Sequence, residues 1–226
     1  MQVELLYHTP DPERAIATAA RLCYAPVGAA ELMETMPEER VRSVLETIMR
    51  SGHFSTLEHV SYTFAVDGVS RALTHQLVRH RIASFNQQSQ RYVKFTGDVA
   101  VVKPESIAGN AEASEAFDKA IQAAVDAYHA LLEAGVPAED ARYLLPNAAE
   151  SKIVITMNVR ELLHFFSLRC CNRAQWEIRD MAHRMLELAR PTAPFIFADA
   201  GAPCVRGTCP EGKMTCGNPY PKVTRE

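Results

Sequence analysis

The fold and function of this 226-residue chain are both predicted from one stretch, Arg79-His80-Arg81-Ile82-Ala83-Ser84-Phe85-Asn86-Gln87-Gln88-Ser89-Gln90-Arg91. It begins at the end of a helix predicted for residues 70–80, with Ser70 as N-cap. Residues 82–96 show no helical period, so we predict an ordered loop there. The wider window 68–97 contains five of the 24 basic residues and none of the 27 acidic ones. The rest of the chain therefore has a net charge of −8, although the whole protein has only −3.

This basic window predicts a site for phosphate or another oxyanion. Arginine side chains and hydroxyl donors at the end of a helix suit such a ligand. Gln76 and Arg79 are three residues apart, so we expect them to share a helix face and reach one ligand. Two alternatives remain, a solvated basic surface and a nucleotide- or nucleic-acid-binding module. Nucleic acid is disfavoured, because aromatic residues are sparse here (Phe85, Tyr92 and Phe95) and the flanks are acidic.

The composition is that of a globular protein, with 47% hydrophobic and 23% charged residues, which excludes a disordered chain. No apolar run approaches the roughly 20 residues that span a bilayer, and the N-terminus does not resemble a signal peptide. The six cysteines are irregularly spaced for a disulfide scaffold. These features predict a cytoplasmic protein with reduced thiols, which does not associate with membranes.

The order of predicted elements indicates an α/β protein of the α+β type. Strands are predicted at 2–7, 60–68 and 151–157, and helices at 11–24, 37–52, 70–80, 111–134, 137–145, 159–170 and 172–191. Because these elements lack a regular βαβ rhythm, we predict a central, mainly antiparallel sheet flanked by helices in a single domain. This domain is expected to span residues 1–200, and residues 201–226 form a tail that contains cysteine, proline and glycine.

A second polar cluster follows the strand at 151–157. Asn158, Arg160, His164 and Arg169 lie on or before one mostly apolar helix. A lone histidine on such a face is usually a core residue. A buried arginine, by contrast, needs an anionic partner, so Arg169 is a candidate ligand-binding residue.

The stretch 79–91 matches every fixed position of the RHRxxSxNxxSxR signature and so resembles the flavin-dependent thymidylate synthases. The matching residues are Arg79, His80, Arg81, Ser84, Asn86, Ser89 and Arg91. Further segments are similar to that family in the same order, namely His53–His59, Arg142, Asn158–Arg160, Arg169 and Ala174–Glu177. The resemblance covers roughly residues 1–200 and leaves the tail outside.

The resemblance implies an FAD-dependent methyltransferase of nucleotide biosynthesis that converts dUMP to dTMP. Methylenetetrahydrofolate would supply the carbon, NADPH the reducing equivalents, and FAD would transfer the hydride. The family binds FAD between subunits of a homotetramer, and the chain has no GxGxxG motif for a Rossmann site. Neither nucleic acid nor a membrane is an expected partner.

The resemblance also assigns roles to individual residues. For FAD it implies His53, Ser55, Glu58, Arg79, His80, Arg81, Gln87, Asn158, Val159, Arg160 and His164. For dUMP it implies Gln76, Leu77, Val78, Arg79, Gln87, Gln88, Ser89, Gln90, Arg91, Arg142 and Arg169. Arg169 and Ser89 are the predicted catalytic residues. Arg169 would stabilise charge on the pyrimidine, whereas Ser89 has no base beside it in sequence and is interpreted as a ligand contact.

Two predicted site residues differ from the family pattern. Gln87 stands where many members have glutamate, and His164 stands where other members can have asparagine. Both keep hydrogen-bonding ability, so we expect altered ligand binding and retained activity.

The cysteines and histidines leave other hypotheses open. Cys170 and Cys171 adjoin Arg169 but do not resemble the nucleophile loop of the classical thymidylate synthase, so we interpret them as core thiols. The tail cysteines Cys204, Cys209 and Cys216 are either ordinary thiols or, with a fourth ligand, a zinc site. A zinc hydrolase using His53, His59, His75 and His80 is a weaker alternative, because no HExxH pair is present. The favoured prediction contains no metal.

Overall fold

The computed structural model describes residues 1–223, and within this range the chain forms four strands and nine α-helices. The strands are β1 (Gln2–His8), β2 (Ser61–Ser70), β3 (Ala83–Gln87) and β4 (Glu150–Asn158). The helices are α1 (Pro12–Leu22), α2 (Ala29–Thr35), α3 (Glu38–Ser51), α4 (Arg71–Leu77), α5 (Glu105–Ala108), α6 (Ala111–Glu133), α7 (Ala138–Ala141), α8 (Val159–Arg169) and α9 (Trp176–Ala189). Short 3-10 turns lie at Phe54–His59, Arg142–Leu144, Arg190–Thr192, Pro203–Val205 and Gly212–Met214.

The strands form one antiparallel sheet in the order β1-β2-β4-β3, flanked by helices. β4 alternates buried with less buried residues, which is the period-two pattern of a strand with one face on a core. β2 is buried along most of its length because it lies inside the sheet. The predicted α+β class with a mainly antiparallel sheet is therefore confirmed.

The prediction of an ordered loop over 82–96 is wrong for residues 83–87, which form β3. Half-buried Ala83, Phe85 and Gln87 alternate with exposed Ser84 and Asn86. β3 is an edge strand, where polar side chains can face solvent, so this strand does not have the apolar character used to recognise the others.

Helix boundaries differ from the prediction at two places. α4 ends at Leu77, and the Arg79 N–H bonds to the Gln76 carbonyl at 3.3 Å, so Arg79 lies in the turn that follows the helix. α9 begins at Trp176, and its N-cap is Gln175. The predicted cap, Asn172, instead bonds to the tail. In addition, the short helices α2 and α5 are not among the predicted ones, and the helix predicted from residue 137 is the short α7 followed by a 3-10 turn at Arg142–Leu144.

The Cα positions divide the chain into two compact units. Unit 1 comprises Met1–Gln2, Val66–Arg79 and Asn86–Val154. Its core includes a cluster of Val99, Val125 and Ala149, against which the side chains of Phe95, Ile121 and Leu145 pack. The Tyr128 hydroxyl accepts a hydrogen bond from the Phe95 N–H at 3.4 Å. The long helix α6 thus covers the segment that follows the basic window.

Unit 2 comprises Val3–Ala65, His80–Phe85 and Ile155–Glu226. Aromatic side chains dominate its core: the Phe197 ring stands edge-on to Tyr62 and to Phe166, with ring centroids 5.6 and 6.1 Å apart. The buried Tyr62 hydroxyl lies 2.7 Å from the Thr192 hydroxyl, so its polar end is satisfied. This packing supports α8, the helix that carries Arg169.

The described part of the tail is ordered against unit 2. The Asn172 amide donates to the Asn218 carbonyl at 2.8 Å and accepts from the Tyr220 hydroxyl at 2.7 Å. The Val223 N–H bonds to the Val205 carbonyl at 2.9 Å. Residues 224–226 of the predicted tail lie outside the described residues. Among residues 1–223, no helix has both the length and the apolar character needed to cross a membrane.

Candidate active site

The predicted ligand-binding residues separate into two groups along the chain. Of the residues predicted to bind the cofactor, unit 2 contains His53, Ser55, Glu58, His80, Arg81, Asn158, Val159, Arg160 and His164. Of those predicted to bind the substrate, unit 1 contains Gln76, Leu77, Val78, Arg79, Gln87, Gln88, Ser89, Gln90, Arg91 and Arg142. Arg169, predicted for the substrate, lies in unit 2.

In unit 2 the central residue is His80, which is only 4% exposed and contacts charged side chains through both ring nitrogens. Its Nδ1 lies 2.9 Å from Oε1 of Glu161, which is also buried. Nε of Arg169 donates to Nε2 of His80 at 3.0 Å. The Phe165 ring packs edge-on against the imidazole at a centroid distance of 5.0 Å. The structure thus brings His80 and Arg169 into direct contact, and with Glu161 they form a hydrogen-bonded chain of three side chains.

The hydrogen bonds determine the protonation of His80. Burial lowers the pKa of the imidazole below 6.5 and the Arg169 charge lowers it further, whereas the hydrogen bond to Glu161 opposes both effects. A neutral imidazole has one N–H and one lone pair. Because Nε2 accepts from Arg169, the proton lies on Nδ1 and is donated to Glu161.

The same hydrogen bonds argue against a metal at this cluster. Ligand atoms of His80, Glu161 and His164 lie within 4.8 Å of one another, as in a metal site. His80 in this tautomer has no lone pair left for a metal, because Nε2 already accepts from the Arg169 guanidinium. His53, His59 and His75, the other histidines of the zinc-hydrolase hypothesis, do not belong to this cluster.

Local sequence positions these groups on α8. The Asn158 side chain caps the helix by accepting from the Glu161 N–H at 2.9 Å. An acidic residue in the first turn is favoured by the partial positive charge of the helix N-terminus. Arg169 lies in the last turn, where a cation is favoured, and burial lowers the pKa of its guanidinium. Glu161 was missed from sequence, although an acidic residue three positions after an Asn N-cap is a recognisable signal.

The remaining predicted cofactor residues of unit 2 are largely at the surface. Arg81, Arg160, His53 and Ser55 are exposed, and the Arg160 guanidinium forms an ion pair with Glu58. Guanidinium groups accompanied by hydroxyl and imidazole donors suit the diphosphate and the ring heteroatoms of FAD. The donor set in unit 2 therefore fits this cofactor.

In unit 1 the side chains of Gln87 and Gln90 differ in their hydrogen bonding. The Gln87 amide donates to Ser151 Oγ at 2.9 Å and to Thr74 Oγ1 at 3.3 Å. Nε2 of Gln90 is buried without a hydrogen-bond partner among the described residues. Ser89 Oγ accepts from the Arg91 N–H at 3.2 Å, which fixes the turn. Gln90 therefore has a donor that a bound ligand can satisfy.

Three of the arginines in unit 1 are Arg71, Arg91 and Arg142. Arg91 forms an ion pair with Glu139 at 2.7 Å, and Arg142 Nε donates to the Glu139 backbone carbonyl at 3.0 Å. Burial and the nearby Arg142 charge lower the pKa of Arg71. Leu77 is fully buried, so its ligand contact would have to come from the backbone. This arrangement suits a phosphate that competes with Glu139 for Arg91.

All six cysteines are free, and their environments differ. Cys170 is fully buried, and burial raises the pKa of its thiol to about 12, which fits the predicted core role. In the tail, Cys204 Sγ accepts from the Tyr220 N–H, and Cys216 Sγ accepts from the Asn218 N–H, both at 3.4 Å. Among the described residues, the tail cysteines do not form a group of three potential metal ligands.

We expect Cys170 to resist alkylation by iodoacetamide at pH 8 in the native protein. A pKa of about 12 leaves only about one thiolate in 10⁴ at that pH. Mass spectrometry of tryptic peptides measures the reaction, with exposed Cys23 as the internal control. Alkylation of Cys170 as fast as that of Cys23 would contradict the assignment.

The chain is an α+β protein in which each unit contains guanidinium, amide or hydroxyl donors, and such donors suit phosphorylated ligands. The family model described as "Thymidylate synthase complementing protein" matches residues 4–195. The chain therefore belongs to the family of flavin-dependent thymidylate synthases, and it is a methyltransferase. The predicted family and activity are confirmed. They are therefore preferred to the nucleic-acid-binding and zinc-hydrolase alternatives.

Similar proteins cover nearly the whole chain. A flavin-dependent thymidylate synthase from Geobacter sulfurreducens is 59% identical over 218 residues, which are 96% of this chain and 94% of that protein. Another from Clostridium tetani is 48% identical over 96% of this chain and 93% of its own length. Among solved structures, the UMP/dUMP methylase PolB from Streptomyces cacaoi bound with 5-Br dUMP has a TM-score of 0.74 and 29% identity. That match covers 87% of this chain and 92% of the methylase.

Proposed function

We propose that the protein methylates dUMP to dTMP, with 5,10-methylenetetrahydrofolate as carbon donor and NADPH as reductant. The relatives named above support the reaction. The observation that carries the proposal is the half-buried Arg169 guanidinium, held on α8 by the neutral His80 ring at 3.0 Å. A cation held in this way is preorganised for charge that develops on a bound substrate.

Arg169 is the proposed catalytic residue. Its guanidinium would stabilise negative charge on the pyrimidine as N3 ionises, and this ionisation makes C5 more nucleophilic. No cysteine nucleophile is needed, in agreement with the inert environment of Cys170. Ser89 remains a proposed ligand contact, because its hydroxyl already accepts from the Arg91 N–H.

Bound FAD would supply hydride transfer, and the protein would supply position and charge. The residues proposed to bind it are those that the resemblance implies: His53, Ser55, Glu58, Arg79, His80, Arg81, Gln87, Asn158, Val159, Arg160 and His164. Arg81 and Arg160 would neutralise the diphosphate. Because Arg160 is paired with Glu58, the ion pair would hold its side chain ready at the surface.

For dUMP, the proposed residues are Gln76, Leu77, Val78, Arg79, Gln87, Gln88, Ser89, Gln90, Arg91, Arg142 and Arg169. Arg91 and Arg142 would bind the phosphate, because both contact Glu139, Arg91 through the carboxylate and Arg142 through the backbone carbonyl, and two cations therefore lie near one residue. The buried amide of Gln90 would donate to a ligand oxygen. Gln87 would keep the hydrogen-bonding role of the glutamate common in the family.

The assembly and location are also part of the proposal. We propose a homotetramer with active sites between subunits, located in the cytoplasm, in which residues 1–200 form the synthase domain. Large apolar side chains at the surface, Ile82 (67% exposed), Tyr92 (79%) and Tyr143 (85%), support contacts with further subunits. Free cysteines throughout support a reducing compartment. Analytical ultracentrifugation tests the assembly, and a purely monomeric active enzyme would contradict it.

The reaction is tested on the purified protein. We expect a yellow protein whose flavin absorbance is bleached by NADPH without oxygen. Addition of dUMP and 5,10-methylenetetrahydrofolate should then yield dTMP, which chromatography measures. A protein that cannot be reconstituted with FAD, or that forms no dTMP when it contains FAD, would contradict the proposal.

A further inference from the structure

We propose that Glu161 is a positioning residue for Arg169 and acts through His80. This inference rests on the proposed function, because it explains how the catalytic guanidinium is held. The resemblance assigned no role to Glu161, whose side chain is buried on α8. The three side chains form a continuous path from carboxylate to imidazole to guanidinium.

The first step is the control of the His80 tautomer. A neutral imidazole can carry its proton on Nδ1 or on Nε2. The Glu161 carboxylate, 2.9 Å from Nδ1, accepts a hydrogen bond and so favours the Nδ1–H tautomer. Nε2 then has a lone pair that faces Arg169 Nε. In the other tautomer two N–H donors would face each other, and the contact with Arg169 would be lost.

In the second step, the hydrogen bond from Arg169 to the oriented His80 ring restrains the Arg169 guanidinium. The guanidinium is planar and rigid, so a hydrogen bond at Nε restrains the direction of its two terminal nitrogens. Glu161 and Arg169 are eight residues apart on α8, about 12 Å along the helix axis. This separation requires an intermediate group, and His80 lies in contact with both.

The third step is the rigidity of the path itself. The Asn158 cap fixes the backbone of Glu161, and the edge-on Phe165 ring restrains the imidazole. Glu161 and His80 are both buried, so water competes little for their hydrogen bond. A mobile Arg169 would stabilise the substrate less well, because it would have to be ordered during the reaction.

The experiment compares Glu161→Ala and Glu161→Gln in the FAD-loaded enzyme. We expect Glu161→Ala to lower kcat for dTMP formation roughly 10- to 100-fold with KM for dUMP nearly unchanged, as for residues that orient a functional group. Glu161→Gln should restore most of this loss, because its amide oxygen still accepts from Nδ1–H. The control is Glu13→Gln, since the Glu13 side chain accepts backbone N–H bonds from Phe195 and Ile196 and does not belong to the path from Glu161 to Arg169.

A second measurement does not depend on turnover. In ¹⁵N NMR spectra of the wild-type protein near pH 8, the His80 ring should show the Nδ1–H tautomer, with His80→Gln for assignment. Glu161→Ala should shift the ring toward the Nε2–H tautomer. An Nε2–H tautomer in the wild type, or kcat of Glu161→Ala within twofold of the wild type, would overturn the inference. If the FAD-loaded wild type formed no dTMP, this would contradict the proposed function. The NMR measurement of the His80 tautomer would still test the effect of Glu161.

Discussion

Replacement of Arg169 by alanine is expected to lower dTMP formation about 10²- to 10³-fold while the protein still binds FAD. Removal of one preorganised donor from a developing negative charge typically has an effect of this size. The guanidinium is half-buried, and its Nε donates to His80, so solvent cannot substitute for it in the same geometry. Single-turnover measurements on the reduced, dUMP-bound enzyme separate this effect on chemistry from an effect on binding.

Two further variants make the Arg169 result specific. Arg169→Lys keeps the positive charge but loses the planar donor that contacts His80, so we expect only partial activity. Arg173→Ala is the matched control, because Arg173 is an exposed arginine that pairs with Glu211 of the tail. Turnover of Arg169→Ala at the wild-type rate would remove Arg169 from the catalytic role.

The double variant Arg91→Ala/Arg142→Ala is expected to raise KM for dUMP by roughly 10²-fold or more and to leave kcat much less affected. Each charge-assisted hydrogen bond to phosphate contributes on the order of 1.5–3 kcal/mol, and these contacts exist in both ground and transition states. Both guanidinium groups contact Glu139, Arg91 at its carboxylate and Arg142 at its backbone carbonyl, so one phosphate near Glu139 can bind both arginines. Steady-state kinetics over a range of dUMP concentrations measure the change.

The matched control for the double variant is Lys119→Ala. Lys119 is an exposed cation of unit 1 that pairs with Glu115 on α6. Its removal changes the net charge but should leave KM for dUMP within about twofold, because exposed pairs contribute little. An equal rise in KM for both proteins would indicate general electrostatic attraction in place of a defined phosphate site. An unchanged KM in the double variant would exclude these two arginines from substrate binding.

Much of the fold and the family could be predicted from sequence, because both have strong local signals. β4 has alternating burial, and Asn158 and Ser70 cap the helices that follow them, as short-range chemistry requires. The stretch 79–91 identified the family without knowledge of any contact. β3 was not predicted, because the partner strand that stabilises it lies more than 60 residues away in sequence.

The site was less predictable than the family. Residue types indicated anion binding, but they did not reveal that His80 joins Glu161 to Arg169. These contacts span 81 and 89 residues of sequence, so no local pattern contains them. Glu161 was missed for this reason, since its importance comes from its burial and from its partner.

The sequence by itself determined the family, the α+β class and the cationic chemistry of the 68–97 window, because these depend on residue identity and local periodicity. Only the tertiary structure decided that His80 is buried and neutral. It also decided that its proton lies on Nδ1 and that Nε2 accepts a hydrogen bond from Arg169. It likewise decided that Arg91 and Arg142 meet at Glu139. Tautomer, burial and pairing depend on which distant side chains share a low-dielectric environment, and the packing of α8 and its neighbours establishes that environment.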